Sequence, residues 1–229
     1  MFVGHFAAAL AGKTVAPEVS LGILILAAAF SDVLWIAFFV LGIEQVVIQP
    51  GIMVANSLNL VYIPFSHSLL MDVVWGGLFA AVYYLLRHDR RGAWILFLAV
   101  LSHWVLDVAT HRPDMPLAPG LELRFGLGLW NSRLATFIVE GALWFGAILL
   151  YVRATKPVKR SGVYAFWTMI VLLTVLWVTS LNGDPPPSLR FLAIVNTIFF
   201  AIVEAWAVWM NRTRSLSHRE RDVARSATG

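Results

Sequence analysis

Apolar runs of nearly membrane-spanning length alternate along the chain with short polar breaks. Residues 19–42, 66–86, 93–110, 132–152, 163–181 and 189–210 are dominated by aliphatic and aromatic side chains. Each approaches the ~20 residues a helix needs to cross a hydrocarbon core. A shorter run, residues 1–12, predicts a partial or tilted helix. Pro17 suits the first turn of the helix that follows, and Ser66, just after Pro64, suits an N-cap. Residues 45–64 read as a loop containing Pro50, Gly51, Asn56 and Asn59. Residues 112–131 read as a longer loop with Pro113, Pro116 and Pro119. The pattern predicts an all-α, polytopic transmembrane helical bundle of about six to seven hydrophobic helices. It forms one domain over residues 1–210 with a basic tail, residues 211–229, and no internal repeat.

Composition narrows the chemistry. The chain has 229 residues, of which 59% are hydrophobic and 13% charged, with a mean hydropathy of +0.77. That leaves too little polar surface for a soluble domain of this length. Cysteine is absent, which excludes disulfides and thiolate metal sites; any metal must take nitrogen and oxygen donors. The net charge is +4, and the basic residues gather in segments 87–91 and 153–160 and in the tail. Such clustering is a topology signal. It predicts a multi-pass protein of the inner, cytoplasmic membrane with these segments and the C-terminus in the cytoplasm. Loops 43–65, 112–131 and 182–188 then face outward. No nucleic-acid partner is needed to explain the charge. No Lys or Arg precedes the first apolar run and Lys13 follows it, so residues 1–12 read as retained and not as a cleaved signal.

Against this background the polar residues inside the spans stand out. His103, Asp107 and His111 recur every four residues, so on a helix they form one ridge, with Thr110 beside it. Imidazole and carboxylate at that spacing can hold a divalent cation together. Counting depth at ~1.5 Å per residue puts Asp32, His67, His103, Asp107 and Glu140 in the outer half of the bilayer. His5 joins them if the first segment starts buried or outward. Any one of these alone is as readily a hydrogen-bonded packing residue. Their common level is what points to a site. Asp72 reads as a supporting acceptor, Glu204 as structural, Asp114 as a loop charge, and Trp104 and Trp130 as interfacial anchors. A cluster of three histidines and two or three carboxylates fits one or two divalent ions, zinc first, with manganese or iron as alternatives. Metal-assisted hydrolysis is the chemistry such a cluster performs.

The same residues carry a family resemblance. Gly4-His5, Phe30-Ser31-Asp32, Pro64-Phe65-Ser66-His67-Ser68, Ser102-His103-Trp104 with Asp107, and Gly126-Leu127-Gly128-Leu129-Trp130 resemble the LexA-binding inner-membrane-associated hydrolases. These are a bacterial family described as membrane-bound and metal-dependent. The resemblance covers roughly the first 140 residues; the last two spans look generic. That family is distantly similar to zinc-dependent phospholipase C and the S1/P1-type nucleases. The resemblance implies His5, Asp32, His67, His103 and Asp107 as metal ligands, with Asp107 bridging. It implies Asp32 as a possible general base and gives His111 and Glu140 loose counterparts among further catalytic residues. The expected activity is metal-dependent hydrolysis of a phosphoester in a lipid or lipid-linked substrate. A proton-coupled or ion transporter, or a membrane protein with a structural metal, is the alternative.

Overall fold

The computed structural model describes residues 1–216. Over these the chain forms eight α-helices and three two-stranded antiparallel sheets: α1 Phe2–Val15, α2 Leu21–Ala28, α3 Phe30–Val40, β1 Gln45–Ile48, β2 Leu58–Tyr62, α4 Leu69–Arg87, α5 Arg90–Thr110, β3 Met115–Pro116, β4 Arg124–Phe125, α6 Arg133–Ala154, β5 Thr155–Pro157, α7 Arg160–Ser180, α8 Leu189–Thr213 and β6 Arg214–Leu216. Helices α4 to α8 are long and apolar enough to span a membrane, and α2 with α3 makes a sixth, bent candidate. The fold is an all-α polytopic bundle. Of the expected basic tail, residues 211–213 continue α8 and residues 217–229 lie outside the described residues.

Local signals explain most boundaries. Asp89 caps α5 by accepting from the Gly92 amide at 2.9 Å, and Ser132 caps α6 through the Ala135 amide at 3.2 Å. His88 closes α4 in a left-handed conformation, φ 53°, which lets the basic turn reverse the chain in two residues. The cap of α4, however, is Ser68 and not Ser66, which has other partners.

Two larger differences from the sequence pattern matter for the site. Helix α1 is short, 14 residues, as its apolar run predicts, but it is not peripheral: its residues Val3, Phe6, Ala7, Ala9 and Leu10 are buried, and it packs against α2, α5 and α6. Its small residues Ala7, Ala8, Ala9 and Gly12 admit that close approach. The run 19–42 is not one rod. It breaks at Ala29, and α2 and α3 meet at 55°. The segments read as loops also carry hairpins, β1 with β2 and β3 with β4, both antiparallel.

The apolar core lies between α1, α2, α5, α6 and α7. Trp144 and Trp177 are fully buried there, and the Trp144 indole N–H donates to Thr174 Oγ1 at 2.9 Å, satisfying a donor that hydrocarbon would leave unpaired. The Tyr151 and Phe166 rings stack at 5.2 Å between α6 and α7. Large apolar side chains such as Leu85, Leu86, Leu134 and Val171 face outward, as a lipid-facing surface requires.

Candidate metal centre

Four elements bring their polar side chains to one place. Helix α1 contributes His5, the first turn of α3 contributes Asp32, the segment before α4 contributes His67, and α5 contributes His103 and Asp107. The break at Ala29 has two local consequences. It gives Asp32 a helix N-terminus, where a carboxylate is favoured. It also leaves the carbonyl of Ala28 to accept from His103 Nδ1 at 2.9 Å. A carbonyl only accepts, so His103 donates from Nδ1 and its Nε2 faces the cluster.

Asp107, 2% exposed, is the hub. Its Oδ2 lies 3.2 Å from His103 Nε2, 3.7 Å from His67 Nε2 and 3.8 Å from His111 Nε2. Its Oδ1 lies 3.1 Å from His5 Nε2 and also meets the Met1 amino group. Asp32 Oδ1 is 3.6 Å from His67 Nε2 and 3.7 Å from His103 Nε2. The two histidine Nε2 atoms are 3.4 Å apart, and the His5 and His103 rings stack at 3.8 Å. Two donor groups result, His5–His103–Asp107 and Asp32–His67–His103, sharing His103.

These separations suit a cation. Zinc bonds of 2.0–2.1 Å in tetrahedral geometry put donor atoms ~3.3 Å apart, close to the separations within both groups. His5 Nδ1 is buried with no hydrogen-bond partner among the described residues, an uncommon state for a buried nitrogen. The donor set is all nitrogen and oxygen, as zinc, manganese or iron sites without cysteine require. The residues fit the ion that the sequence suggests.

Around this centre sit the other expected residues. His111 lies on its rim, its Nδ1 donating to Asp114 Oδ1 at 3.2 Å while Arg112 Nε holds the other Asp114 oxygen at 3.1 Å. Asp114, read from sequence as a loop charge, is buried and orients that imidazole. Trp130, read as an interfacial anchor, packs on His111 at 4.5 Å and donates to Glu140 Oε1 at 3.3 Å. Trp104, likewise, donates to the carbonyl of Pro116 at 2.9 Å. Glu140 belongs to neither donor group; its Oε2 accepts the Phe2 amide at 3.1 Å at the start of α1. Asp72 is fully buried and accepts from Ser31 Oγ at 2.8 Å. Glu204 lies away from the cluster on α8, against α2 at Gly22.

The segment Gly126–Trp130 forms the buttress behind His111. Leu127 and Gly128 amides donate to the carbonyls of Val108 and His111 at 2.7 Å each. A side chain at Gly126 would collide with the Arg112 carbonyl, and Gly128 adopts φ 69°; both positions demand glycine.

One residue had no signal in the hydropathy pattern. Glu44, in the turn after α3, is 2% exposed and accepts from the Phe65 and Ser66 amides at 2.8 Å each and from Ser66 Oγ at 2.5 Å. It lies in a loop by periodicity, and only its proximity in sequence to a polar turn could have marked it.

The cluster forms the floor of a cavity of about 540 Å³, within the range of small-molecule sites. Its walls are mainly apolar: Phe2 and Phe6 of α1, Trp35 and Ile36 of α3, and Leu192, Val195, Phe199 and Phe200 of α8. No Lys or Arg lines it among the described residues.

The model of the YdjM inner membrane protein family matches residues 1–183. That reach takes in every residue of the cluster and extends past the motifs to the end of α7, leaving α8 outside. No curated protein and no solved structure matches the chain. With its apolar helices and a match over most of its length, the chain belongs to the YdjM inner membrane protein family and is a multi-pass protein of the inner membrane.

Proposed function

We propose that this protein is a membrane-embedded, metal-dependent hydrolase acting on a phosphoester of a lipid or lipid-linked substrate. One observation carries the reading: imidazole and carboxylate donors from four elements converge within 3.1–3.7 Å at the floor of an apolar-walled cavity. Charged groups are costly at membrane depth and are retained where they serve a site.

His5, His67, His103, Asp32 and Asp107 would hold one or two divalent ions, with His103 common to the two donor groups. An ion there would supply Lewis-acid polarisation of a phosphoryl oxygen and hydroxide at neutral pH. The Asp32 side chain is 32% exposed toward the cavity, placed to take a proton from water. His111, fixed by Asp114, stands at the rim where a leaving group would need a proton. Glu140 holds the start of α1 and through it His5. The aromatic and aliphatic wall suits an acyl or isoprenoid chain.

The basic turns favour a cytoplasmic C-terminus and a site in the outer half of the bilayer. A second reading, an ion or proton-coupled carrier, is favoured by the break between α2 and α3 at the site, since discontinuous helices line ion pathways in transporters. Turnover of phospholipid and lipid-phosphate substrates by metal-loaded protein in nanodiscs, beside metal uptake into proteoliposomes, separates the two. Product without uptake supports the hydrolase; uptake without product overturns it.

A further inference from the structure

Glu44 sits apart from the metal-binding side chains, yet it is buried, negatively charged in its carboxylate form and engaged by three donors. Two of them, the Phe65 and Ser66 amides, bind Oε1 and could be explained as shaping the turn before α4. The third is different. Ser66 Oγ donates to Oε2 at 2.5 Å and also lies 2.7 Å from His67 Nδ1.

A serine hydroxyl has one proton, and a carboxylate oxygen only accepts. With that proton committed to Glu44, Ser66 Oγ can serve His67 only as an acceptor, so His67 must donate from Nδ1. In the neutral ring Nε2 is then the lone pair, and it is Nε2 that faces Asp32, Asp107 and His103. Histidine ligands are commonly fixed in this way by a carboxylate or carbonyl on the far ring nitrogen; here a hydroxyl stands between.

We propose that Glu44 is a positioning residue that sets the tautomer of His67 through Ser66, presenting Nε2 as a lone pair to the cluster. His103 is set the same way by the Ala28 carbonyl. In the neutral rings two Nε2 lone pairs thus lie 3.4 Å apart beside two carboxylates. A proton on either Nε2, or a bound cation, relieves that arrangement. The inference rests on the hydrolase reading for its metal, but the tautomer itself does not.

The test uses full-length protein in nanodiscs, first metal-free. Nitrogen-15 NMR of labelled histidine, with His67 assigned by loss of its signals in His67→Gln, reports which ring nitrogen is protonated. Wild type should show Nδ1–H. Glu44→Gln keeps the volume and an oxygen for both backbone amides, but its NH2 group donates to Ser66 Oγ and frees the hydroxyl to donate to His67 Nδ1. His67 should then shift to the Nε2–H form, and zinc affinity, read by competition with a chelating dye, should fall about 10- to 100-fold. A residue that only shapes the turn would leave both unchanged. If Glu44→Gln does not fold, Ser66→Ala decides: it removes the acceptor and should abolish the Nδ1–H preference. Retention of Nδ1–H in the variants, or Nε2–H in wild type, overturns the proposal. The expected tautomer shift without zinc binding in any form would uphold the relay and overturn the metal-dependent reading alone.

Discussion

His103 and Asp107 are the residues on which the account turns. Their four-residue spacing is visible in the chain, and the structure places both in the hub with 3.2 Å between donor atoms. Substituting either by alanine should lower zinc content per chain below about a tenth of wild type, with turnover lost in parallel, because each serves more than one neighbour. Metal analysis with an activity assay on folded protein checks this; retained metal and turnover in both variants would sink the assignment. Gly126→Ala should destabilise the protein by about 2–4 kcal/mol in detergent unfolding, since the new methyl meets the Arg112 backbone. A change under about 0.5 kcal/mol would mean that the loop yields easily. What could not be read at this scale were the partners behind the ligands. Glu44, Asp114 and Trp130 sit in turns and loops, where hydropathy has no period and the partner is fixed only by tertiary contact. Asp114 reads as a solvated charge until the chain's path turns it toward His111 Nδ1 at 3.2 Å.

At the scale of elements, the long spans were legible because their apolar length leaves no soluble alternative. α4 to α8 lie where the runs of hydrophobic residues predict. The misreadings came from elements whose form depends on neighbours. Residues 19–42 are continuous in hydropathy, yet they bend by 55° at Ala29, where no proline or glycine advertises a break. The break coincides with Ala28 binding His103 and Asp32 opening α3, so the bend belongs to the site. Helix α1 looked marginal by length and is central by packing. Its tie to Glu140 through the Phe2 amide yields a prediction: Glu140→Ala should cost about 1–3 kcal/mol, the penalty for unpairing a buried donor, and weaken metal binding by loosening His5. Equal thermal midpoints for the two proteins would argue against it. Ser132→Ala, by contrast, should cost only about 1 kcal/mol, as for an ordinary N-cap, and leave metal binding alone.

For the whole molecule, hydropathy specifies a bundle and charge predicts an orientation, and both are silent on the cavity between α1, α3 and α8. Three-dimensional crossing of distant segments makes that cavity; no stretch of sequence contains it. The orientation is open to direct test because the chain has no cysteine. Single cysteines at Glu122 and Lys156 should label differently with an impermeant maleimide in intact cells, Glu122→Cys reacting and Lys156→Cys protected. The reverse pattern would put the site in the inner half. The most direct measurement of all is elemental analysis of protein purified without chelator, beside Asp107→Ala prepared identically. About one to two equivalents of zinc, manganese or iron are expected per wild-type chain and close to none in the variant. Repeated absence of metal from active wild-type protein, or equal metal in both, would contradict it.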